Sequence, residues 1–251
     1  MLIGISNRLG IYNSMRDFYN MTRIDNFQRR KFLAQFVSPG SMCFDIGANI
    51  GEKIDLFRSM GARVVAFEPQ KECAFYLKKK FRYDDQVTIV EKAISSQEGI
   101  CEMFCCEANQ LSTLSLDWMK ALQDSQRFGK VSWDKKTLVS TTTLELMIKE
   151  HGNPDFLKID VEGNEYEVLK NLTSRVPYIC FEYAFPESRK SLELCLKHLD
   201  GLGYSEYNLS CDDKKFIFLE WSLSQGLIEF LKKEFKNYSC GNVYVKYSGD
   251  R

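Results

Sequence analysis

From residue 41 onward, short apolar runs alternate with stretches of helical periodicity, and that alternation limits the chain to few architectures. MCFDIG, VVAFEP, VTIVEKAIS, FLKID and YICFEY read as strands. Helical stretches follow them: one carrying Ile54, Leu56, Phe57 and Met60 and ended by Gly61, then KECAFYLKKKF, about 164–172, and SRKSLELCLKHLD. Strands joined through helices need crossover connections, so they lie parallel and are covered on both faces. The end of the chain reads differently. FIFLE and NVYVKY read as strands around the amphipathic WSLSQGLIEFLKKEF, so an antiparallel closing strand is expected there. The expected fold is α/β.

Charge and cysteine content exclude several classes. The 251 residues carry 34 Lys+Arg and 34 Asp+Glu, a net charge of zero, which argues against affinity built on phosphate neutralisation. The KKKFR run at 78–82 then reads as a solvated helix end rather than a nucleic-acid patch. No apolar run approaches the ~20 residues of a membrane span. MLIGISNRLG is too short an apolar stretch for a signal peptide. The nine Cys are odd in number and form no C-x-x-C pair, so free thiols in a reducing cytoplasm are expected. Cys101, Cys105 and Cys106 cluster without a nearby His, which weakens a zinc reading.

The simplest organisation is a helical extension over 1–38 followed by one domain over 39–251. Within the extension, Phe18, Met21, Phe27, Phe32, Leu33 and Phe36 form an apolar set over residues 14–37. They suit packing on a sheet or covering a pocket. Residues 107–139, with Trp118, Phe128 and Trp133, read as a long insertion. It is either a substrate lid or a surface helix-turn on the sheet edge. Ser112 and Thr113 near its start offer hydroxyls to a polar substrate.

FDIGANIGE carries the most chemistry. A strand ends at Asp45 and Ile46, Gly47 and Gly51 bracket a tight loop, and a helix follows. Open α/β sheets bind ligands at such carboxyl edges. The dinucleotide fingerprint G-x-G-x-x-G needs a second Gly for close approach to a pyrophosphate, and Asn49 stands in its place. NAD is thereby disfavoured. A carboxylate at Asp45 suits a cationic ligand, and S-adenosylmethionine (SAM), with a sulfonium and no phosphate, fits. Glu68 lies 23 residues beyond Asp45, at the end of the second strand, where an acid can accept both ribose hydroxyls. Its structural alternative is an acid at a helix start, with Pro69 in the first turn.

These motifs resemble class I SAM-dependent methyltransferases and, more narrowly, the FkbM family. The resemblance rests on DIGANIG at 45–51, FEP at 67–69, AIS at 93–95 with Gly99, TTTLELM at 141–147 and LKIDVEGNEYEVLKN at 157–171. It covers roughly residues 40–185, and strand–helix order extends it to about 247. It implies a Rossmann-like, seven-stranded, mostly parallel sheet with helices on both faces and the last strand antiparallel. It also implies methyl transfer to oxygen on a glycan or small-molecule acceptor. By matched position, Asp45, Gly47, Ala48, Asn49 and Gly51 would line the methionine part of SAM. Glu68, with Pro69, would hold the ribose. Ala93 would flank the adenine, and Asp160 would face the methyl-transfer zone.

The acidic block IDVEGNEYEVL suits that transfer. The reaction needs the acceptor oxygen aligned with the methyl group and one proton removed. Asp160 and Glu162, two apart on an extended segment, can point to one side. Glu182 in YICFEY reaches the same sheet edge. Any of the three can act as base, or a pair can hold Mg²⁺ and acidify the hydroxyl. Glu165 and Glu167 read as structural acids at a helix start. His151 and His198 lie away from this edge. Two competing functions are an NAD-type oxidoreductase on the same plan, disfavoured by Asn49, and a non-catalytic SAM-binding module, disfavoured because Asp45, Glu68 and Asp160 are all present.

Overall fold

The computed structural model describes residues 24–106, 111–125 and 132–249. Phe18, Met21 and Phe128 lie outside them, as does the start of the expected N-terminal helix. Five strands, β1 (Met42–Ile46), β2 (Arg63–Phe67), β3 (Val87–Val90), β7 (Phe156–Ile159) and β8 (Tyr178–Ala184), pair in parallel. With β9 (Glu206–Ser210) and β10 (Cys240–Lys246) they form a seven-stranded sheet of order β3-β2-β1-β7-β8-β10-β9. β10 runs antiparallel to both its neighbours, the closing strand expected from NVYVKY. β1 and β7 are buried at every position, which is why MCFDI and FLKI are continuous rather than alternating.

Helices cover both faces. Helix α1 (24–33) and the turn after it place Phe32 and Phe36 on one face. Phe36 stacks on Phe156 and Tyr244 at centroid distances of 5.7 and 5.2 Å. The described part of the N-terminal segment therefore packs on the sheet. α2 (Glu52–Ser59) joins that layer through Ile54 and Phe57. α5 (Leu144–His151), α7 (Arg189–Gly201) and α8 (Ser224–Glu234) contribute to the opposite core.

Three local expectations are corrected. VTIVEKAIS is two strands. β3 stops at Val90, the Lys92 N–H donates to the Val90 carbonyl at 3.0 Å, and the turned chain continues as β4 (Ala93–Ile94) in another sheet. FIFLE is not a strand. The Asn208 side chain takes both main-chain groups of Phe218, at 3.1 Å each, and EYNLS supplies the edge strand instead. The insertion is shorter than 107–139, because β6 (Lys135–Thr142) takes its end and pairs with β4 and β5 (Gly99–Cys105) in a three-stranded sheet. α4 (Leu116–Ser125) packs Trp118 and Leu122 with Phe104, Cys106, Trp133 and Ala184. That small core ties the module to the end of β8. All nine Cys are free. Among the described residues no helix is long and apolar enough to cross a membrane.

Candidate active site

The chain runs outward through β1, β2 and β3 on one side and through β7 and β8 on the other. The carboxyl ends of β1 and β7 therefore form the topological switch point, where such sheets leave a crevice. A cavity of about 270 Å³ opens there. Its wall includes Asp45, Gly47, Ala48, Asn49, Glu68, Pro69, Ala93, Asp160, Glu162 and Glu182, so the fold gathers these sequence candidates into one place. Gly51 lies just behind the wall: a Cβ there would meet Leu77 at 2.7 Å and Phe81 at 3.2 Å.

The loop is built by left-handed residues. Gly47, Asn49 and Gly51 take φ of +85°, +47° and +83°. Asn is among the few residues with a side chain that tolerate this region, so position 49 keeps the turn without a Gly. The Gly47 and Ala48 N–H groups both donate to the Phe67 carbonyl, at 2.9 and 3.1 Å. Glu68 then fastens the loop: its Oε2 accepts from the Asn49 N–H and its Oε1 from the Gln70 N–H, both at 2.8 Å. The Gln70 side chain is a third donor to the carboxylate, which leaves one lone pair for a ligand hydroxyl. Pro69 is not in the first helical turn, because Gln70 caps α3 (Lys71–Lys80) and Pro69 precedes the cap.

Asp45 is 1% exposed, and its Oδ2 has no hydrogen-bond partner among the described residues. Burial drives its pKa up to about 7, assisted by the charges of Asp160 and Glu68 and opposed by Lys158 and Lys53. An orphaned buried carboxylate oxygen on a cavity wall suits a cationic ligand group.

Asp160, Glu162 and Glu182 each contribute one oxygen, the three lying within 4.8 Å of one another. Burial, then the charge of Asp160, pushes Glu162 and Glu182 well above the usual carboxylate range. The route to this cluster differs from the expected one. Glu162 is not extended but left-handed, at φ +54°, followed by Gly163 at +84°. The turn is held from two sides. Thr113 Oγ1 donates to the Glu162 carbonyl at 2.6 Å, and Glu165 Oε1 accepts from the Gly163 N–H at 3.1 Å. Trp118 packs so closely on Gly163 that a Cβ there would lie 2.5 Å from it. Thr113 thus braces the acidic turn, and Ser112 Oγ accepts from the Cys106 N–H at 3.1 Å, although both line the cavity. Glu165 is a brace and Glu167 pairs with Lys170 at 2.8 Å. α6 (Glu165–Leu169) is shorter than the 164–172 expected.

Sequence reading missed the cations beneath the acids. Lys158 is 2% exposed inside β7, and its Nζ lies 3.2 Å from Asp160 Oδ2. It also donates to Asn242 Oδ1 at 2.8 Å and to the Ile159 carbonyl at 3.2 Å. Burial alone would lower its pKa, but the charge of Asp160 and its neighbours holds it above the ordinary lysine value. Asn242 Nδ2 passes the network to Asp213 Oδ1 at 2.8 Å, where the Tyr244 hydroxyl also donates at 2.7 Å. Lys53 pairs with the other Asp213 oxygen. Burial would raise the Asp213 pKa, but the two lysines outweigh it and hold the carboxyl at about 2. A charged residue inside the apolar run FLKID was the only available sequence signal.

A doubly wound sheet with a glycine-loop cavity at its switch point and acids facing a cation-accepting wall defines a cofactor-dependent α/β enzyme. The family model described as the methyltransferase FkbM domain matches residues 45–232, and the chain belongs to that family. Its cofactor is accordingly SAM. No curated protein matches the chain. Similar solved structures include the precorrin-6Y C5,15-methyltransferase from Geobacter metallireducens, at 13% identity, TM-score 0.46, and coverage of 88% of this chain and 87% of that one. Another is Aeropyrum pernix fibrillarin with natively bound SAM, at 10% identity, TM-score 0.44, and coverage of 84% and 68%. These distant likenesses carry no argument about the acceptor.

Proposed function

We propose that the chain transfers a methyl group from SAM to a hydroxyl of a neutral glycan or small molecule. The observation that carries this reading is the convergence of Asp160, Glu162 and Glu182 in the cavity beside the glycine loop. When bound, SAM supplies an electrophilic methyl on a sulfonium. Asp45, Gly47, Ala48 and Asn49 would surround its methionine part, with Asp45 taking the ammonium and Gly51 shaping the loop from behind the wall. Glu68 and Pro69 hold the ribose, and Ala93 flanks the adenine. Asp160 and Glu182 orient the acceptor hydroxyl, and one of the trio removes its proton. Carboxylates pushed above their usual range are suited to that step near neutral pH. They also disfavour acceptors that bring a negative charge to the same place.

The test is release of S-adenosylhomocysteine (SAH) across a panel of neutral glycosides, small alcohols, amines and oligonucleotides. Turnover with hydroxyl acceptors is expected. Asp160→Asn and Glu182→Gln should each lower it about 10²–10⁴-fold while leaving SAH affinity within a few-fold. Turnover confined to amines or nucleic acid would overturn the reading. The same three oxygens are also close enough to share a divalent cation. Loss of turnover on chelation, restored by Mg²⁺, would select the metal over the lone base.

Asp45 makes SAM binding pH-dependent. Its native pKa of about 7 exceeds the unperturbed 3.8, so the folded chain binds more protons than the unfolded one between those values. This group's contribution to stability therefore falls as pH rises through that window. A cationic ligand favours the ionised carboxyl, so binding below pH 7 expels a proton. SAM affinity should rise about fivefold from pH 6 to 7, about twofold more above that, and level off near pH 8. Titration calorimetry in buffers of different ionisation heat measures the released proton. A flat affinity over that range, or one equally steep in Asp45→Asn, would exclude this assignment.

A further inference from the structure

The cavity wall is strongly acidic, yet the cofactor's methionine moiety ends in a carboxylate. Asp45, Glu52, Glu68, Asp160, Glu162 and Glu182 face that cavity, against two ammonium groups, Lys53 and Lys92. An entering carboxylate surrounded by those acids needs a cation to offset them. Lys92 directly precedes Ala93, away from the glycine loop in the chain. Lys53 is the second residue of α2, two positions beyond Gly51.

Lys53 is also held in place before any ligand arrives. Its ammonium donates to Asp213, 160 residues away in the chain. Asp213 is itself immobilised by Asn242 and Tyr244, and its own N–H donates to Ser210 Oγ at 3.1 Å. An ammonium has three hydrogens, and Asp213 takes one. The side chain remains 23% exposed, so it is reachable from the cavity that it lines. Lys158 adds its charge to that of Lys53 around Asp213, and two of the Lys53 hydrogens remain for a further acceptor.

We propose that Lys53 binds the carboxylate of the cofactor's methionine moiety, with Asp213 as the positioning residue that aims it. This rests on the reading that the cavity holds SAM with its methionine part at the glycine loop. A fixed ammonium on one carboxylate makes the site selective for cofactors that keep the amino-acid tail.

The test is calorimetric titration of wild type, Lys53→Met and Lys53→Arg with three probes: SAM, decarboxylated SAM and 5′-methylthioadenosine. Losing a charge-assisted hydrogen bond should weaken SAM binding to Lys53→Met roughly 10- to 100-fold. Decarboxylated SAM and methylthioadenosine should bind that variant as they bind wild type. Lys53→Arg should restore most of the SAM affinity. Asp213→Asn should weaken SAM selectively and by less, with thermal unfolding confirming that the variant is folded. Equal weakening of all three probes in Lys53→Met, or no weakening of SAM, would overturn the proposal. If wild type bound none of the probes, the placement of SAM in this cavity would fail first, a result distinguishable from selective failure at Lys53.

Discussion

Gly47→Ala is expected to be the most damaging single-methyl change among the described glycines. The new Cβ would lie 1.9 Å from the Asp160 carbonyl oxygen and 2.9 Å from its carbon. Neither partner can retreat. The Asp160 N–H donates to the Ile46 carbonyl at 2.9 Å, so the two strand ends are locked by the ladder itself. The Gly47 N–H is fixed to Phe67 on the other side. The left-handed φ adds roughly 1–2 kcal/mol for any residue with a Cβ. Overpacking against backbone adds roughly 1–3 kcal/mol. A loss of about 4 kcal/mol is a large share of a typical stability of about 5–15 kcal/mol. The urea midpoint should fall accordingly, and SAH binding should be lost because Asp45, Asn49 and Asp160 are displaced together. Gly40→Ala is the control: φ is also +85°, but no atom lies within 4 Å of the added Cβ. It should cost only the conformational part. Wild-type SAH affinity and midpoint in Gly47→Ala would show that the packing at the carboxyl ends of β1 and β7 is plastic.

Lys158→Met should have the next largest effect. The methionine fills nearly the same volume, so packing is conserved and the loss is electrostatic. Asn242 Oδ1 and the Ile159 carbonyl lose their donor in the interior, and Asp160 loses its counter-charge. The Asp160 side chain is 34% exposed, so water offsets much of its share. The expected total is about 3 kcal/mol. Adding Asp160→Asn should recover about 1 kcal/mol, because the double variant no longer carries an unpaired carboxylate. Loss of Lys158 also removes the largest charge opposing protonation of Asp45, so SAM affinity at pH 7 should fall in the single variant. A destabilisation below about 1 kcal/mol, with no recovery in the double variant, would place the Lys158 charge outside the energetics of the site.

How much of this was legible beforehand follows from the range of the interactions involved. The parallel sheet, the glycine loop and Glu68 were readable because each depends on neighbours within one strand–loop–helix unit. The continuous apolar runs at 42–46 and 156–159 could only be buried on both faces, and Gly47 and Gly51 could only be turns. Local reading failed where a side chain replaced a ladder partner. Asn208 satisfied the backbone of Phe218, and an apolar run that looked like a strand stayed irregular. It failed again at Glu162, where left-handed backbone, not extended alternation, turns the carboxylate toward Asp160.

The chain's own sequence thus determined the class of sheet, the cofactor loop and the identity of the acids, because strand burial and turn stereochemistry act over a few residues. Only the tertiary structure decided which charges face one another. Lys53 reaches Asp213 across 160 residues, and Lys158 reaches Asn242 across 84. Charge balance inside a cavity is a sum over groups from every strand that borders it, and no local pattern carries that sum.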